Sequence, residues 1–108
     1  DLKKNIIVLM LVRIVKLTFK PEELESFYNE FELHKHKISS FKGCKGMQLL
    51  KEIDNPCVVM TYSQWEHNKA LNAYRNSSLF SSLWKKIKPK FSAKPEAWSH
   101  ELYFNGFE

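Results

Sequence analysis

The sequence contains few glycines and few cysteines. Three Gly and two Cys occur in 108 residues, without the glycine-rich pattern that binds nucleotide phosphates. Cys44 and Cys57 are too few for a disulfide framework and lack the spacing of metal ligands, so we expect free thiols in a reducing compartment. The sequence therefore predicts a protein with no bound metal and no tightly held flavin or nicotinamide cofactor.

Long hydrophobic runs are also missing. The apolar run from Ile6 to Val12 is far shorter than the ~20 residues that a transmembrane helix needs, and its flanks do not resemble a signal peptide. We expect a soluble, cytoplasmic protein that does not contact a membrane. Residues 1–10 are predicted to be an N-terminal extension, and residues 11–108 a single domain.

Positive charge is in excess but is not concentrated. The formal net charge is +5, which raises the question of nucleic-acid binding. The densest basic run, Lys85–Lys90, contains Ile87 as part of an apolar helical face and has no interleaved Arg or aromatic side chains. This pattern is typical of a solvated helix face, so no nucleic-acid partner is expected.

The order of apolar periods predicts an α+β fold. Strand patterns alternate with helical patterns in the order βαββαβ, with strands near Leu11–Phe19, Met47–Ile53, Cys57–Gln64 and Ala97–Phe104 and helices near Pro21–Phe41, Glu66–Arg75 and from Ser77 or Ser78 onward. This is the order of a ferredoxin-like sheet with helices on one face.

Aromatic residues are abundant, and they bear on partners. Three Trp, eight Phe and four Tyr exceed what a small core needs, which leaves apolar surface for a subunit or a ligand. The first strand is apolar on both faces, with Val12 and Ile14 on one and Val15 and Leu17 on the other. We therefore expect the helix-free face to pack on a second copy, giving a homodimer.

A junction in the third strand is the most informative part of the chain. The apolar run Cys57–Met60 leads into the segment Thr61–Glu66, which places a large aromatic at the end of a strand, where a pocket mouth commonly lies. The segment Gly43–Gly46 and the turn Asp54–Pro56 precede it, and the helical segment Ala70–Arg75 follows. Together these segments resemble the antibiotic biosynthesis monooxygenase family over about Leu11 to Phe104. The resemblance implies a dimeric α/β barrel with a cavity between each sheet and its own helices.

Helical geometry selects candidates on the first helix. With Leu24 at zero and 100° per residue, Tyr28 lies at about +40° and Lys35 at about +20°, within the buried stripe, while His34 lies at its boundary at about −80°. His34 is a candidate general base because the unperturbed pKa of histidine is about 6.5. Lys35 could serve the pocket or extend along the apolar face to water.

Further candidates come from the strands and the later helices. Trp65 is either a pocket wall or a core anchor, and Tyr62 and Tyr74 could offer hydroxyl groups to a ligand. Trp84 lies on the apolar stripe of the last helix. Arg13, placed inward by strand parity, would need a carboxylate or a bound anion as partner.

The resemblance also implies a reaction. Members include cofactor-free monooxygenases that oxidise phenolic or quinol-like aromatic molecules, and Trp65 is the matching residue that we assign to catalysis with His34. The Asn that typically lies four residues before this Trp is Thr61 here. Haem-degrading relatives need an Asn and an axial His where this chain has Ile14 and Trp84, so haem is not expected.

The leading hypothesis is a monooxygenase acting on a small aromatic, quinol-type molecule without a bound cofactor. One alternative is a ligand-binding module without catalysis, in which Trp65 is structural. Another is an isomerase of a small phosphorylated or keto metabolite. Arg13 or Lys35 beside an anion-sized void would favour the isomerase, whereas a flat apolar slot would favour oxygenation.

Overall fold

A computed structural model describes residues 10–107 of the chain. Four strands, β1 to β4, span Leu11–Thr18, Cys44–Lys51, Val58–Trp65 and Glu96–Glu101, and three helices, α1 to α3, span Leu24–Ser39, Asn68–Arg75 and Ser78–Ile87. Short 3-10 turns at Pro21–Glu23 and Lys88–Lys90 precede α1 and follow α3. The predicted N-terminal extension lies, apart from residue 10, outside the described residues.

The strands form one antiparallel sheet in the order β2-β3-β1-β4. The central strand β1 pairs with β3 on one side and with β4 on the other. The helices lie on one face of this sheet, where α1 and α3 pack against each other and their apolar residues meet those of the strands. The predicted α+β, ferredoxin-like fold is confirmed.

Alternate residues of β1 point to opposite faces of the sheet, as in any strand. Leu17 is buried beneath the helices, and Val15 packs against the same core. Ile14 lies on the helix-free face, directly between Tyr62 of β3 and Trp98 of β4. Both faces of the central strand therefore carry large apolar side chains, as the sequence pattern predicts.

Two apolar clusters hold the helices on the sheet. The larger cluster packs α1 and α3 against the sheet, and its buried members are Leu17, Phe19, Phe27, Val59 and Ile87. The smaller fixes α2 at the end of β3, and its buried members are Trp65, Ala70 and Leu71. Residues of both clusters line a cavity between the sheet and the helices.

The helix boundaries differ from the sequence prediction where a side chain bonds to the backbone. The short helix α2 begins at Asn68 rather than Glu66, because His67 has extended backbone angles and its Nδ1 accepts a hydrogen bond from the Ala70 N–H at 3.1 Å. The α1 helix ends at Ser39 rather than Phe41. The predicted cap of the last helix is confirmed at Ser77, whose hydroxyl oxygen accepts from the Phe80 N–H at 3.2 Å.

The strand boundaries also move. Strand β2 begins at Cys44 rather than Met47, with an irregularity between Cys44 and Gly46, and β4 ends at Glu101 rather than Phe104. Cys44 pairs with Trp65 in the ladder, and both cysteines are free thiols, as predicted. Within residues 10–107, none of the helices is both long and apolar enough to cross a bilayer.

Gly43 allows α2 to approach the start of β2 closely. Its φ of +88° lies in the left-handed region, which glycine adopts without steric cost. A Cβ at this position would overlap the Cβ of Ala70. The carbonyl oxygen of Gly43 also accepts a hydrogen bond from the Glu66 N–H at 2.9 Å. Gly43 thus positions the helix that carries Tyr74.

Candidate functional site

A partly open cavity of about 240 Å³ lies between the sheet and the helices. Its floor is formed by alternate residues of the two central strands, Arg13, Val15 and Leu17 on β1 and Thr61, Ser63 and Trp65 on β3. Pocket volumes for drug-sized ligands start at about 300 Å³. The cavity therefore suits a small molecule, such as one with one or two fused rings.

Aromatic side chains of β3, α2 and α3 form two stacked pairs in the cavity lining. Trp65 and Tyr74 are stacked, with ring centroids 5.2 Å apart and an angle of 29° between the planes. Phe80 and Trp84 are also stacked, at 5.6 Å and 12°, and Tyr74 meets Phe80 edge to face at 5.3 Å. All four rings line the cavity, which gives it flat, apolar surfaces of the kind that hold an aromatic ring.

Trp65 is both a core residue and part of the cavity lining. Its side chain is 1% exposed, and its indole N–H donates a hydrogen bond to the Ser63 hydroxyl oxygen at 2.9 Å. The Ser63 hydroxyl in turn lies 3.5 Å from the backbone carbonyl oxygen of Arg13, to which it donates. Because the indole donor is already used, Trp65 offers a ligand its ring and not its N–H.

Tyr74 carries the most strongly perturbed acid of the cavity. Burial, with a smaller effect from neighbouring Cys44, raises the pKa of Tyr74 to about 12. Its hydroxyl is therefore protonated at neutral pH and can act as a hydrogen-bond donor to a ligand oxygen. Within residues 10–107, that hydroxyl has no hydrogen-bond acceptor in the folded chain.

Arg13 projects from β1 into the cavity lining and is half-buried. Its Nη1 donates a hydrogen bond to the Ser99 hydroxyl oxygen of β4 at 2.9 Å. Burial, and then the positive charge of Arg75, lower the pKa of the Arg13 guanidinium. The hydrogen-bond partner of Arg13 is therefore the uncharged Ser99, and the nearby charge of Arg75 is of the same sign.

The structure brings five of the sequence-selected residues to the cavity: Arg13, Thr61, Trp65, Tyr74 and Trp84. They come from two strands and two helices that lie far apart in the sequence. Thr61 occupies the floor next to Val15, its ladder partner on β1. These five residues remain the candidates for ligand contact.

The other four candidates lie elsewhere. His34 is held by its own helix, with Nδ1 2.8 Å from the Glu30 carbonyl oxygen. Lys35 pairs with Glu32 at 2.5 Å and borders a separate, shallow hollow. The structure therefore does not bring these two residues of α1 into the cavity, because their helix turns its Phe27, Phe31 and Ile38 toward it.

Tyr28 and Tyr62 are excluded from the cavity by their positions on other surfaces. Tyr28 packs at the edge of the larger core cluster, with the Lys51 ammonium 5.1 Å from its ring centroid. Tyr62 is on the helix-free face of β3, where its phenol oxygen accepts from Gln64 Nε2 at 2.9 Å. Strand parity decides the second case, since Tyr62 follows Thr61 directly.

Ser63, Arg75 and Phe80 line the cavity but were not among the candidate site residues chosen from the sequence. Ser63 shares strand parity with Thr61 and Trp65, which is a signal that could have found it. Phe80 precedes Trp84 by four positions, the spacing of neighbours on one helix face. Arg75 is the last residue of α2 and had no comparable signal, because its position depends on how α2 sits on the sheet.

Comparison with known families identifies the chain. The model of the antibiotic biosynthesis monooxygenase family matches residues 10–86. The chain belongs to this family, which confirms the resemblance found in the sequence and supports a monooxygenase-type function. A search of curated proteins found no significant match.

Solved structures show the same fold at low sequence identity. A conserved protein from Methanosarcina mazei Go1 has a TM-score of 0.85 at 17% identity, covering 91% of this chain and 97% of the other. An antibiotic biosynthesis monooxygenase has a TM-score of 0.81 at 16% identity, covering 86% and 98%. Rv0793 from Mycobacterium tuberculosis has a TM-score of 0.82 at 10% identity, covering 91% and 99%. At these identities the similarity shows the fold alone.

Proposed function

We propose that this protein is a cofactor-independent monooxygenase of a small aromatic, quinol-type molecule. The observation that carries the proposal is the cavity between sheet and helices, which is lined by the stacked pairs Trp65–Tyr74 and Phe80–Trp84. A flat, electron-rich ring matches these surfaces in shape and polarity. Family membership supplies the reaction class.

The proposed reaction needs little from the protein. A ring carbon that carries two hydrogens in the keto tautomer of the substrate loses a proton, and the resulting anion passes an electron to dioxygen. Recombination gives a hydroperoxide that loses water. One oxygen atom enters the substrate as a carbonyl group, the other leaves as water, and the substrate carbon supplies all four electrons.

Stabilisation of the substrate anion is the role that we assign to Tyr74 and Arg13. Tyr74, protonated because burial raises its pKa to about 12, donates a hydrogen bond to the developing oxygen anion rather than acting as a base. Arg13 adds positive charge on the same floor. The proton itself leaves to water at the open side of the cavity. His34 has no part in this proposal, because it lies outside the cavity.

Trp65 and Trp84 act in this proposal as surfaces that hold the ring and exclude water, which protects reactive intermediates from hydrolysis. Trp65 anchors α2 through its stacking on Tyr74, and its hydrogen bond to Ser63 fixes the indole on β3. Trp84 is only partly buried and faces the cavity from α3. Substitution of Trp84 is therefore the cleaner test of ligand contact.

We further propose that the protein acts as a homodimer. The helix-free face presents Ile14, Met60, Tyr62 and Trp98 side by side on β1, β3 and β4. Trp98 is 41% exposed in the single chain, and a contiguous apolar surface of this kind marks an interaction site. Packing on a second copy would bury it and complete the predicted dimeric barrel.

The isomerase alternative requires an anion-sized polar site. Arg13 and Arg75 line the cavity, which is the feature that would favour the isomerase, but most of the lining is aliphatic or aromatic. An apolar lining favours a ring over a small phosphorylated metabolite. We therefore place oxygenation first. A binding module without turnover would have the same cavity and is distinguished by activity alone.

Oxygen uptake by purified, metal-free protein with dihydroxynaphthalenes, corrected for autoxidation, tests the proposal. We expect a rate of oxygen uptake above background, and we expect Trp84→Ala and Thr61→Phe to abolish it. The first substitution removes an aromatic surface of the cavity, and the second places a large side chain inside it. Thr61→Val keeps the side-chain shape and is the matched control. Stoichiometric ligand binding without oxygen uptake would instead establish a binding module.

A further inference from the structure

The cavity lining carries charge of one sign only. Its charged members are Arg13 on β1 and Arg75 at the end of α2, and the rest of the lining is neutral. The remaining polar lining side chains, such as Thr61, Ser63 and Tyr74, bear no charge at neutral pH. An apolar cavity of about 240 Å³ thus has two cations and no anion in its wall.

Neither guanidinium has an acidic partner among residues 10–107. The ion pairs in this part of the chain join Lys16 to Glu96, Lys45 to Glu66, and others that leave both arginines out. Arg13 donates instead to the uncharged Ser99 hydroxyl at 2.9 Å. A half-buried guanidinium normally has a carboxylate or another anion as its partner, because removing its charge from water is costly.

The two cations also act on each other. Burial and the nearby charge of Arg75 both lower the pKa of the Arg13 guanidinium, although arginine remains protonated under all ordinary conditions. This repulsion would be relieved by an anion placed between or beside the two groups. A negatively charged ligand is therefore the electrostatic complement of this cavity.

A purely structural role accounts for only one of the two residues. Arg75 lies in the last turn of α2, where a cation interacts favourably with the helix dipole. Arg13 has no such explanation, since it is half-buried on the central strand β1 and lines the cavity. Its position next to the Ser63 and Ser99 ladder partners puts the charge on the cavity floor.

We propose that Arg13 and Arg75 select an aromatic substrate that carries a carboxylate on its ring. This specifies the substrate class of the proposed monooxygenase and rests on that function. The ring lies against the stacked aromatic wall, and the carboxylate accepts hydrogen bonds from the guanidinium groups, which are suited to binding carboxylates in pairs of bonds.

Redox-inert ligands allow this selection to be measured apart from turnover. Titration calorimetry would compare 1-naphthoate with 1-naphthamide, which has nearly the same shape but no charge. We expect the protein to bind naphthoate about tenfold more tightly or better, because charge-assisted hydrogen bonds are each stronger than neutral ones by roughly that factor. Added salt should reduce the preference, since part of it is Coulombic.

Charge-removing variants locate the effect. Arg13→Gln and Arg75→Gln should each lower the preference for naphthoate about tenfold, while Lys37→Gln, an equal change of charge on the exposed surface of α1, should leave it unchanged. Arg75 is exposed, so its variant keeps the test valid even if Arg13→Gln folds poorly. Circular dichroism checks the fold of each variant.

Two further measurements distinguish a carboxylate from other anions. Tight naphthoate binding without a spectral shift of 1-naphthol to naphtholate would support the carboxylate, whereas a naphtholate shift on binding, below the pKa of 1-naphthol in water, with no binding of naphthoate would overturn it. Inorganic phosphate should compete weakly. Tighter binding of phosphate than of naphthoate would contradict the proposal that the site selects an aromatic anion.

The inference is overturned if naphthoate does not bind, if naphthamide binds equally well, or if the preference survives both arginine variants. Oxygen uptake is a separate result. Selective binding of naphthoate, without oxygen uptake when any aromatic acid is the substrate, would contradict the proposed monooxygenase function but support the anion site. Uptake with neutral quinols alone would support oxygenation and reject the selection of anions.

Discussion

The indole N–H of Trp65 and the hydroxyl oxygen of Ser63 form a buried hydrogen bond of 2.9 Å within one strand. The two residues are two positions apart on β3, so their side chains share a face of the sheet. Ser63 is the buried polar residue of the described core. It allows a large indole with a polar N–H to be placed where only 1% of the residue is exposed.

Ser63→Ala should therefore destabilise the protein. The substitution leaves the Trp65 N–H buried without an acceptor, and we expect the free energy of unfolding to fall by about 1–3 kcal/mol. Urea denaturation measures it. Ser81→Ala, at an exposed position of α3, is the control and should change stability by less than about 0.5 kcal/mol. Equal values for the two variants would show that the hydrogen bond does not matter.

Gly43→Ala should be more harmful than Gly46→Ala. Both glycines have positive φ, at +88° and +151°, but a new Cβ overlaps Ala70 only at Gly43, whereas at Gly46 nothing lies within 4 Å. We expect a loss of roughly 2–4 kcal/mol for Gly43→Ala from backbone strain and overpacking together. The difference between the variants in thermal or urea unfolding measures the contact, and a larger loss at Gly46 would contradict this account.

High pH should destabilise the fold through Tyr74. Its pKa is raised to about 12 in the folded chain from about 10 when unfolded, so the folded state holds the proton more tightly. The stabilisation is complete below about pH 10 and is lost as the pH rises toward 12, by about 2–3 kcal/mol in total.

The urea midpoint measured across this range in wild type and Tyr74→Phe tests the assignment. Tyr74→Phe should show a shallower fall in stability, because the residue that titrates is gone. Tyr103→Phe removes a tyrosine that is 93% exposed and should follow the wild-type curve. Identical curves for all three proteins would mean that Tyr74 titrates normally.

Trp98→Glu should convert the proposed dimer to a monomer. The substitution places a charge on the helix-free face, on the edge strand β4 beside Ile14, where burial against a second copy would require its desolvation. Sedimentation equilibrium measures the mass. Leu33→Glu introduces the same charge at a residue of α1 that is 70% exposed and should leave the dimer intact. A monomeric wild type at micromolar concentration would rule out the dimer proposal.

Most of the fold could be predicted from period and turn signals. The strands, the hairpin at Asp54–Pro56 and the Ser77 cap are set by neighbours in sequence, which is why they are readable without a structure. Errors occur where a side chain bonds to the backbone in an unanticipated way. His67 shortens α2 by capping it, and no pattern of apolar residues records such a bond.

The candidate site was predictable only in part, because it depends on packing angles. Strand parity places Arg13, Thr61 and Trp65 on one face correctly, and it would also have put Tyr62 on the other face had it been applied there. The helical wheel gives the order of side chains around α1 but not the rotation of the helix on the sheet. The wheel puts Lys35 within the buried stripe and His34 at its boundary, yet neither lines the cavity, because the rotation of α1 on the sheet decides which side chains reach it.

The alternation of β1 separates two properties of the protein along a single strand. Arg13, Val15 and Leu17 touch the cavity, while Ile14 belongs to the opposite surface between Tyr62 and Trp98. A saturation mutagenesis map of this strand should therefore show a two-residue rhythm, with affinity for small molecules changing at odd positions and self-association at even ones. Divergence of substrate preference in this chain need not disturb the proposed dimer, because the cavity and the helix-free face depend on different residues.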